Sequence, residues 1–363
     1  MYGSGHAGNM EGVWRDRSLK VCYRMNDGGG ESVERKIALL MDRDNLESLF
    51  DSLHRQRLNR LGNVVTVTEP GALTPQKSAE LIRGAEIVVT SWGCPPLDAA
   101  ILEQAPDLGL IVHAAGTVKR IVTPDVIARD IPVSSANSEL GRRVAETALG
   151  LTIVSLKHIW QLARDSREGE FGRNRHRVKE MYGITVGVIG AGQSGKHYLE
   201  LLRHFRVRAL VYDPGQTEEQ IRELGAVKTS LEDLMRESDV VSVHAPAIQA
   251  TNNMINAPLL KMMKDDAILI NTARGSLIDE EALVAELSAG RLWACLDVTN
   301  PEPTALDHPF RSLPNVTLIP HVAGVVTNGL RSLGEFTVNE LEAFAEGRRL
   351  QGTVQLEKLH MLA

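Results

Sequence analysis

From Lys36 onward, short apolar runs alternate with stretches whose apolar residues recur every three or four positions, the pattern of an α/β chain with parallel sheets. Ile37–Met41, Val64–Val67, Ile87–Thr90 and Leu110–His113 read as buried strands of one wound sheet, separated by helical segments such as NLESLFDSL and PLDAAILEQ. A long helical pattern over about 138–165 follows, with Leu140, Val144, Ala148, Leu151, Val154 and Leu162 on its apolar stripe, and bridges to a second series. The polar interval EGEFGRNRHRVKE after it reads as a solvated crossover. The second series opens with Val186, Val188 and Ile189 and continues through Arg208–Tyr212, Val240–Val243, Ile268–Thr272, Leu292–Asp297 and Val316–Ile319, a sheet of six strands. A final helical pattern over about 326–346 stops before Gly347. If that helix packs back on the first sheet, the first domain is built from both ends of the chain and the second is an insertion. The expected division is an N-terminal extension over 1–35, poorly ordered as termini commonly are, one domain from 36–148 and 322–354, and another over 149–321.

The most telling stretch is TVGVIGAGQSGKHYLELLRHFRVRALVYD. A strand ends at Gly190, Gly192 and Gly195 in GxGxxG spacing, a helix over about 192–205 follows, and a second strand ends at Asp213, eighteen residues past the third glycine. A turn without side chains lets the backbone approach a pyrophosphate, and the helix N-terminus offers free N–H groups and partial positive charge. A carboxylate at Asp213 can accept from ribose hydroxyls and repels a 2′-phosphate. The residues after it, PGQTEEQ, bring no Arg or Lys, so NAD is expected rather than NADP.

Composition excludes several classes. The formal net charge of −6 offers no global basic field, so no nucleic-acid or membrane-surface partner is expected. Cys22, Cys94 and Cys295 are odd in number and lack CxxC spacing, which argues against a disulfide framework or a metal site and fits a reducing cytoplasm. No apolar run reaches the length of a membrane span, and no secretory leader is visible.

Three polar residues fall at strand ends of the second series: Arg274 in INTARGSLID, Glu302 in LDVTNPEP and His321 in LIPHVAG. Hydride transfer to a 2-oxo acid needs a cation to hold the carboxylate and polarise the carbonyl, and a group to protonate the forming alkoxide. The planar fork of arginine suits the first task, and imidazole, which exchanges its proton near neutral pH, suits the second. A carboxylate such as Glu302 would orient the imidazole.

In the order and spacing of VGVIGAGQSG with Asp213, the VHAP run, NTARGSLID, LDVTNPEP and NVTLIPHVAG, the chain resembles the D-isomer-specific 2-hydroxyacid dehydrogenases over about 37–354. The resemblance implies two doubly wound parallel-sheet α/β domains, a Rossmann NAD-binding domain inserted into a flavodoxin-like substrate domain. It implies that Arg274 binds the substrate carboxylate and keto oxygen, that His321 is the acid/base and that Glu302 is its partner. Gln193 and Ser194 would meet the pyrophosphate, while Pro246, Thr251, Thr272, Ala273, Arg274, Asp297 and His321 would line the rest of the nucleotide track. Main-chain groups at Gly116 and Thr117 would help hold the substrate, and a homodimer would form around the helix bearing Glu146. Where many members of the family carry an acidic run, this chain has Lys119 and Arg120. Trp92 in TSWGCPP either walls the substrate site or packs in the core. The expected activity is NAD-dependent hydride transfer at C2 of a small D-2-hydroxy or 2-oxo acid of hydroxypyruvate, glyoxylate or phosphoglycerate type; the alternative is an NAD(H)-sensing regulatory or scaffold protein on the same fold.

Overall fold

The computed structural model describes residues 35–361, and the expected N-terminal extension lies outside them but for Arg35. The chain divides into two compact units, 1–136 with 330–356, and 137–329 with 357–363. The first is therefore built from both ends of the chain. Its sheet is parallel in the order β2-β1-β3-β4-β5, with β1 Lys36–Leu40, β2 Asn63–Thr66, β3 Ile87–Thr90, β4 Leu110–His113 and β5 Val133–Ser135. Strands β3 and β4 are buried along their whole length, as a parallel sheet covered on both faces demands, which is why they read as unbroken apolar runs. The helix Leu330–Ala345 closes this unit. Its Gly334 leaves no space for a Cβ, which would lie 2.0 Å from the Leu49 carbonyl oxygen, so the helix backbone sits directly on the end of helix Arg43–Leu49. Arg57 of helix Ser52–Leu61 forks onto Glu335 and Glu342, holding both carboxyls below the usual carboxylate range. Buried Glu340 accepts from Ser134 Oγ and from the amides of Gln351 and Gly352, tying the C-terminal segment to β5.

The second unit holds seven parallel strands in the order β12-β11-β10-β9-β6-β7-β8: β6 Tyr182–Ile189, β7 Arg206–Tyr212, β8 Val227–Lys228, β9 Val240–Val243, β10 Ile268–Asn271, β11 Trp293–Leu296 and β12 Val316–Leu318. The order reverses between β6 and β9, and ligands of such sheets lie outside the carboxyl ends at that switch point. One core, including Leu234, Val241, Leu269 and Leu283, lies on one face of this sheet, and another, including Ala148, Val188, Tyr198 and Ile270, on the other.

The structure corrects the sequence reading in several places. The sheet has seven strands rather than six, because β8 is two residues long and carries no apolar pattern. The helical stretch of 138–165 is two helices, Asn137–Leu156 and Ile159–Arg167, broken where His158 takes a left-handed conformation with φ 49°. The compact units themselves part at 136/137 and 329/330. The reason is that Ala145, Ala148 and Leu151 of the first of these helices are buried in the second unit's core, so the whole helix goes with that unit. The closing helix begins at Leu330, not near 326. The polar crossover is not merely solvated: Arg177 stacks over Trp293 and pairs with Asp266. Among the described residues no helix is long and apolar enough to cross a membrane.

Candidate active site

The glycine turn after β6 divides its work among three positions. Gly190 has φ 92°, and a Cβ there would lie 2.7 Å from the Ala245 backbone, so only glycine lets this turn pass the end of β9. A Cβ on Gly195 would lie 2.1 Å from the Gly190 carbonyl oxygen, so helix Gln193–Leu202 packs onto the turn at glycine distance. Gly192 is different: its Cβ position meets no atom within 4 Å. This is the open cradle a pyrophosphate needs, at the start of a helix whose N-cap, Gly192, has no side chain to occupy the free amides. After β7, Asp213 accepts from the amides of Ala191 at 2.7 Å and Gly215 at 2.8 Å, which fixes its carboxylate against the turn. After β9, the Thr251 hydroxyl donates to the Pro246 carbonyl and accepts from the Ile248 amide, closing the next loop. After β10, the buried Thr272 hydroxyl has no hydrogen-bond partner among the described residues, a polar atom left for a ligand. These residues fit an NAD molecule laid along the sheet edge. Gly190, Gly192, Gln193, Ser194 and Gly195 would hold the pyrophosphate and Asp213 the adenosine ribose, with Pro246, Thr251, Thr272, Ala273 and Asp297 beyond them toward the nicotinamide.

Arg274, Glu302 and His321 follow β10, β11 and β12, three adjacent parallel strands, and so stand at one edge of the sheet. His321 and Glu302 meet directly, Nδ1 to Oε1 at 2.6 Å, with both side chains partly open to solvent. His321 is held in the left-handed region, φ 50°, uncommon for a residue with a Cβ. Asp297 enforces that conformation. Its carbonyl accepts from the His321 amide, and its carboxylate accepts from the amides of Val322 at 2.7 Å and Ala323 at 3.1 and 3.2 Å. Burial pushes this carboxyl above the usual carboxylate range, against the pull of those two amides and of His321 nearby. The Thr147 hydroxyl donates to the Ala323 carbonyl and pins the loop from its other side.

The Arg274 loop is clamped by Asn271, whose Nδ2 donates to the Arg274 carbonyl and whose Oδ1 accepts from the Ala273 amide. The guanidinium is exposed and spends Nη1 on the Ala273 carbonyl, leaving further donors of its fork. Gly275 brings this loop against the one that carries Glu302: a Cβ on it would lie 2.1 Å from the Thr299 carbonyl carbon. Arg274, Glu302 and His321 are expected from the sequence, whereas the clamps Asn271 and Thr147 are not, and Asp297 is expected only along the nucleotide track. Their bonds run to main-chain amides and carbonyls, which no residue pattern displays.

In the first unit, Gly116 and Thr117 follow β4. The Gly116 carbonyl accepts from Ser135 Oγ at 2.6 Å, and the exposed Thr117 hydroxyl accepts weakly from the Lys119 amide. Trp92, after β3, keeps 40% of its surface exposed, so the core-packing reading does not hold.

The family model described as D-isomer specific 2-hydroxyacid dehydrogenase, NAD binding domain, matches residues 149–323. A glyoxylate reductase of Korarchaeum cryptofilum is 33% identical over 69% of this chain and 77% of its own. A hydroxypyruvate reductase of Thermotoga maritima is 29% identical over 82% of this chain and 90% of its own. In fold, the chain is similar to a phosphoglycerate oxidoreductase from Rhizobium etli, with a TM-score of 0.76 at 24% identity over 88% of this chain and 98% of that one. With that kinship added to the strand-by-strand chemistry of the sheet edge, the chain belongs to the D-isomer-specific 2-hydroxyacid dehydrogenases, and it is an NAD-dependent oxidoreductase of small D-2-hydroxy acids.

Proposed function

We propose that His321 is the acid/base of this reaction, that Glu302 holds it in orientation, and that Arg274 binds the carboxylate and keto oxygen of a small 2-oxo acid of glyoxylate, hydroxypyruvate or phosphoglycerate type. The observation that carries the reading is the 2.6 Å bond from His321 Nδ1 to Glu302, which commits one ring nitrogen to the carboxylate and frees Nε2 for the substrate oxygen. When bound, the reduced nicotinamide supplies the hydride. The chain does the rest: Arg274 neutralises charge on the substrate, and protonated His321 gives its Nε2 proton to the oxygen that becomes the hydroxyl. Glu302 holds the ring in orientation for that transfer. Gly116 and Thr117 would supply main-chain contacts to the substrate carboxylate. The relatives' names, glyoxylate reductase and hydroxypyruvate reductase, support the substrate class. An NAD(H)-sensing scaffold is not favoured, because it leaves the His321–Glu302 pair without a task.

The expected result for His321→Ala is a loss of about 10²–10⁴-fold in kcat with glyoxylate or hydroxypyruvate, measured by NADH absorbance. NADH binding by fluorescence should be unchanged. Retained turnover would overturn the assignment of His321.

We also propose a homodimer in a reducing cytoplasm. Exposed Ile159, Trp160 and Phe171 support the first, and the unpaired thiols of Cys94 and Cys295 the second.

A further inference from the structure

Glu280 is the first residue of helix Glu280–Ser288, which follows the Arg274 loop. Its side chain turns away from that helix. Oε1 accepts a hydrogen bond of 2.8 Å from the Asn300 amide, two residues before Glu302. Its side chain is 14% exposed, and burial raises its carboxyl above the usual range while the Asn300 amide draws it back. The His308 ring lies 3.9 Å from Oε2. A carboxylate this covered is expensive to keep unless its hydrogen bond does something.

That bond acts on a segment with little else to fix it. The Thr299 hydroxyl donates to the Pro301 carbonyl, a local tie within the segment itself, while the residues on to Glu302 and Pro303 are exposed. On the opposite side the segment rests on Gly275, where the Cβ of any other residue would collide with Thr299 and Asn300. Ahead of Glu302 the loop is thus held by a steric stop, Gly275, and the hydrogen bond from Asn300 to Glu280, and beyond it by Arg311, which donates to the carbonyls of Thr304 and Ala305. Gly275 and Glu280 both belong to the strand-to-helix connection that presents Arg274. One connection therefore sets both the cation and the partner of the imidazole.

We infer that Glu280 is a positioning residue: by anchoring the Asn300 amide it places Glu302 against His321 and fixes the Glu302 loop to the loop of Arg274. The inference rests on the reading of His321 and Glu302 given above. Its bond runs to the Asn300 amide and not to the glycine turn, so its effect belongs in the chemical step and not in cofactor affinity.

The test compares Glu280→Ala, which deletes the acceptor, with Glu280→Gln, which keeps an oxygen at the same reach without the charge. Steady-state reduction of glyoxylate is followed with NADH and with NADH deuterated at the transferred position. The expected result for the Ala variant is a fall of about tenfold or more in kcat, a KM for NADH within about twofold of the parent, and a larger primary isotope effect on kcat. The Gln variant should recover kcat to within about threefold. Unchanged kcat in Glu280→Ala overturns the inference, as does a Gln variant as impaired as the Ala variant, or a loss shared equally by kcat and the KM for NADH. If Glu280→Ala does not fold, Glu280→Asp, one methylene short of the amide, takes its place with the same expectations. His321→Ala run in parallel separates the two proposals: full turnover there removes the reading on which this rests, whereas an inactive His321→Ala beside an unaffected Glu280→Ala removes the positioning role alone.

Discussion

His113 and His244 are buried with no ion-pair partner among the described residues. His113 ends β4 with Nδ1 at 2.9 Å from the Thr90 hydroxyl, and burial lowers its pKa to about 4. His244, beside the Gly190 turn, has Nε2 at 2.8 Å from Ser242 Oγ and no partner for its other ring nitrogen among the described residues, and burial lowers its pKa to about 3. Both are neutral in the native state at pH values where the unfolded chain already binds a proton, near 6.5. The unfolded state therefore gains protons first, and stability present above pH 6.5 is lost as the pH falls toward 4 and then 3. Replacing His113 by Asn, which keeps a side-chain amide near Thr90, should remove about 2 to 3 kcal/mol of the stability lost between pH 7 and 4.5, measured by urea unfolding at both pH values. An acid limb as steep as that of the parent would show that His113 does not titrate in this way. By contrast, the proposed reacting groups Arg274, Glu302 and His321 are exposed.

The glycine turn gives the sharpest element-scale expectation, because Gly192 and Gly195, three residues apart in the same motif, have opposite surroundings. Gly195→Ala forces a Cβ onto the Gly190 carbonyl and should cost about 3 kcal/mol, seen as a melting temperature roughly 6–12 °C lower. Gly192→Ala enters open space and should melt within about 2 °C of the parent, while raising the KM for NADH by about tenfold. Equal melting temperatures would refute this division of roles. The same segment shows what sequence makes legible. Strands such as Ile87–Thr90 and Val240–Val243 were readable to the residue, since a strand buried on both faces is an uninterrupted apolar run bounded by polar residues. Val133–Ser135 and Val227–Lys228 were not, being too short and too polar to carry a period. The break at His158 was hidden because apolar spacing runs on through it into Ile159 and Leu162, and a left-handed residue other than glycine leaves no compositional trace. At the site, the reacting groups announced themselves by chemical type, and their supports did not. Asp297 and Glu280 accept from amides distant in sequence, which only the folded chain brings within reach, and Asn271 ties the main chain of its own turn.

At the scale of the whole molecule, apolar side chains at Ile159, Trp160 and Phe171 stand in solvent on and after a helix that has no buried residue of its own. Sedimentation equilibrium should give twice the 39.7 kDa chain mass, and a Trp160→Glu, Phe171→Glu variant should shift toward the single-chain mass. A parent that sediments as one chain would set the dimer aside. The first unit carries another consequence of its make-up. Its five strands are all in place by Ser135, yet the helix that seals them, anchored through Glu335, Glu340 and Glu342, begins at Leu330. At ordinary rates of synthesis the intervening residues 137–329 take roughly 10–40 s to emerge from the ribosome. For that interval the nascent sheet has an uncovered flank at Leu49 and Phe50, and the inserted unit can fold before its host does. In a growing cell this protein is most exposed to chaperones and to misassociation while its nucleotide unit is already finished and its older half still waits for its own last turn of chain.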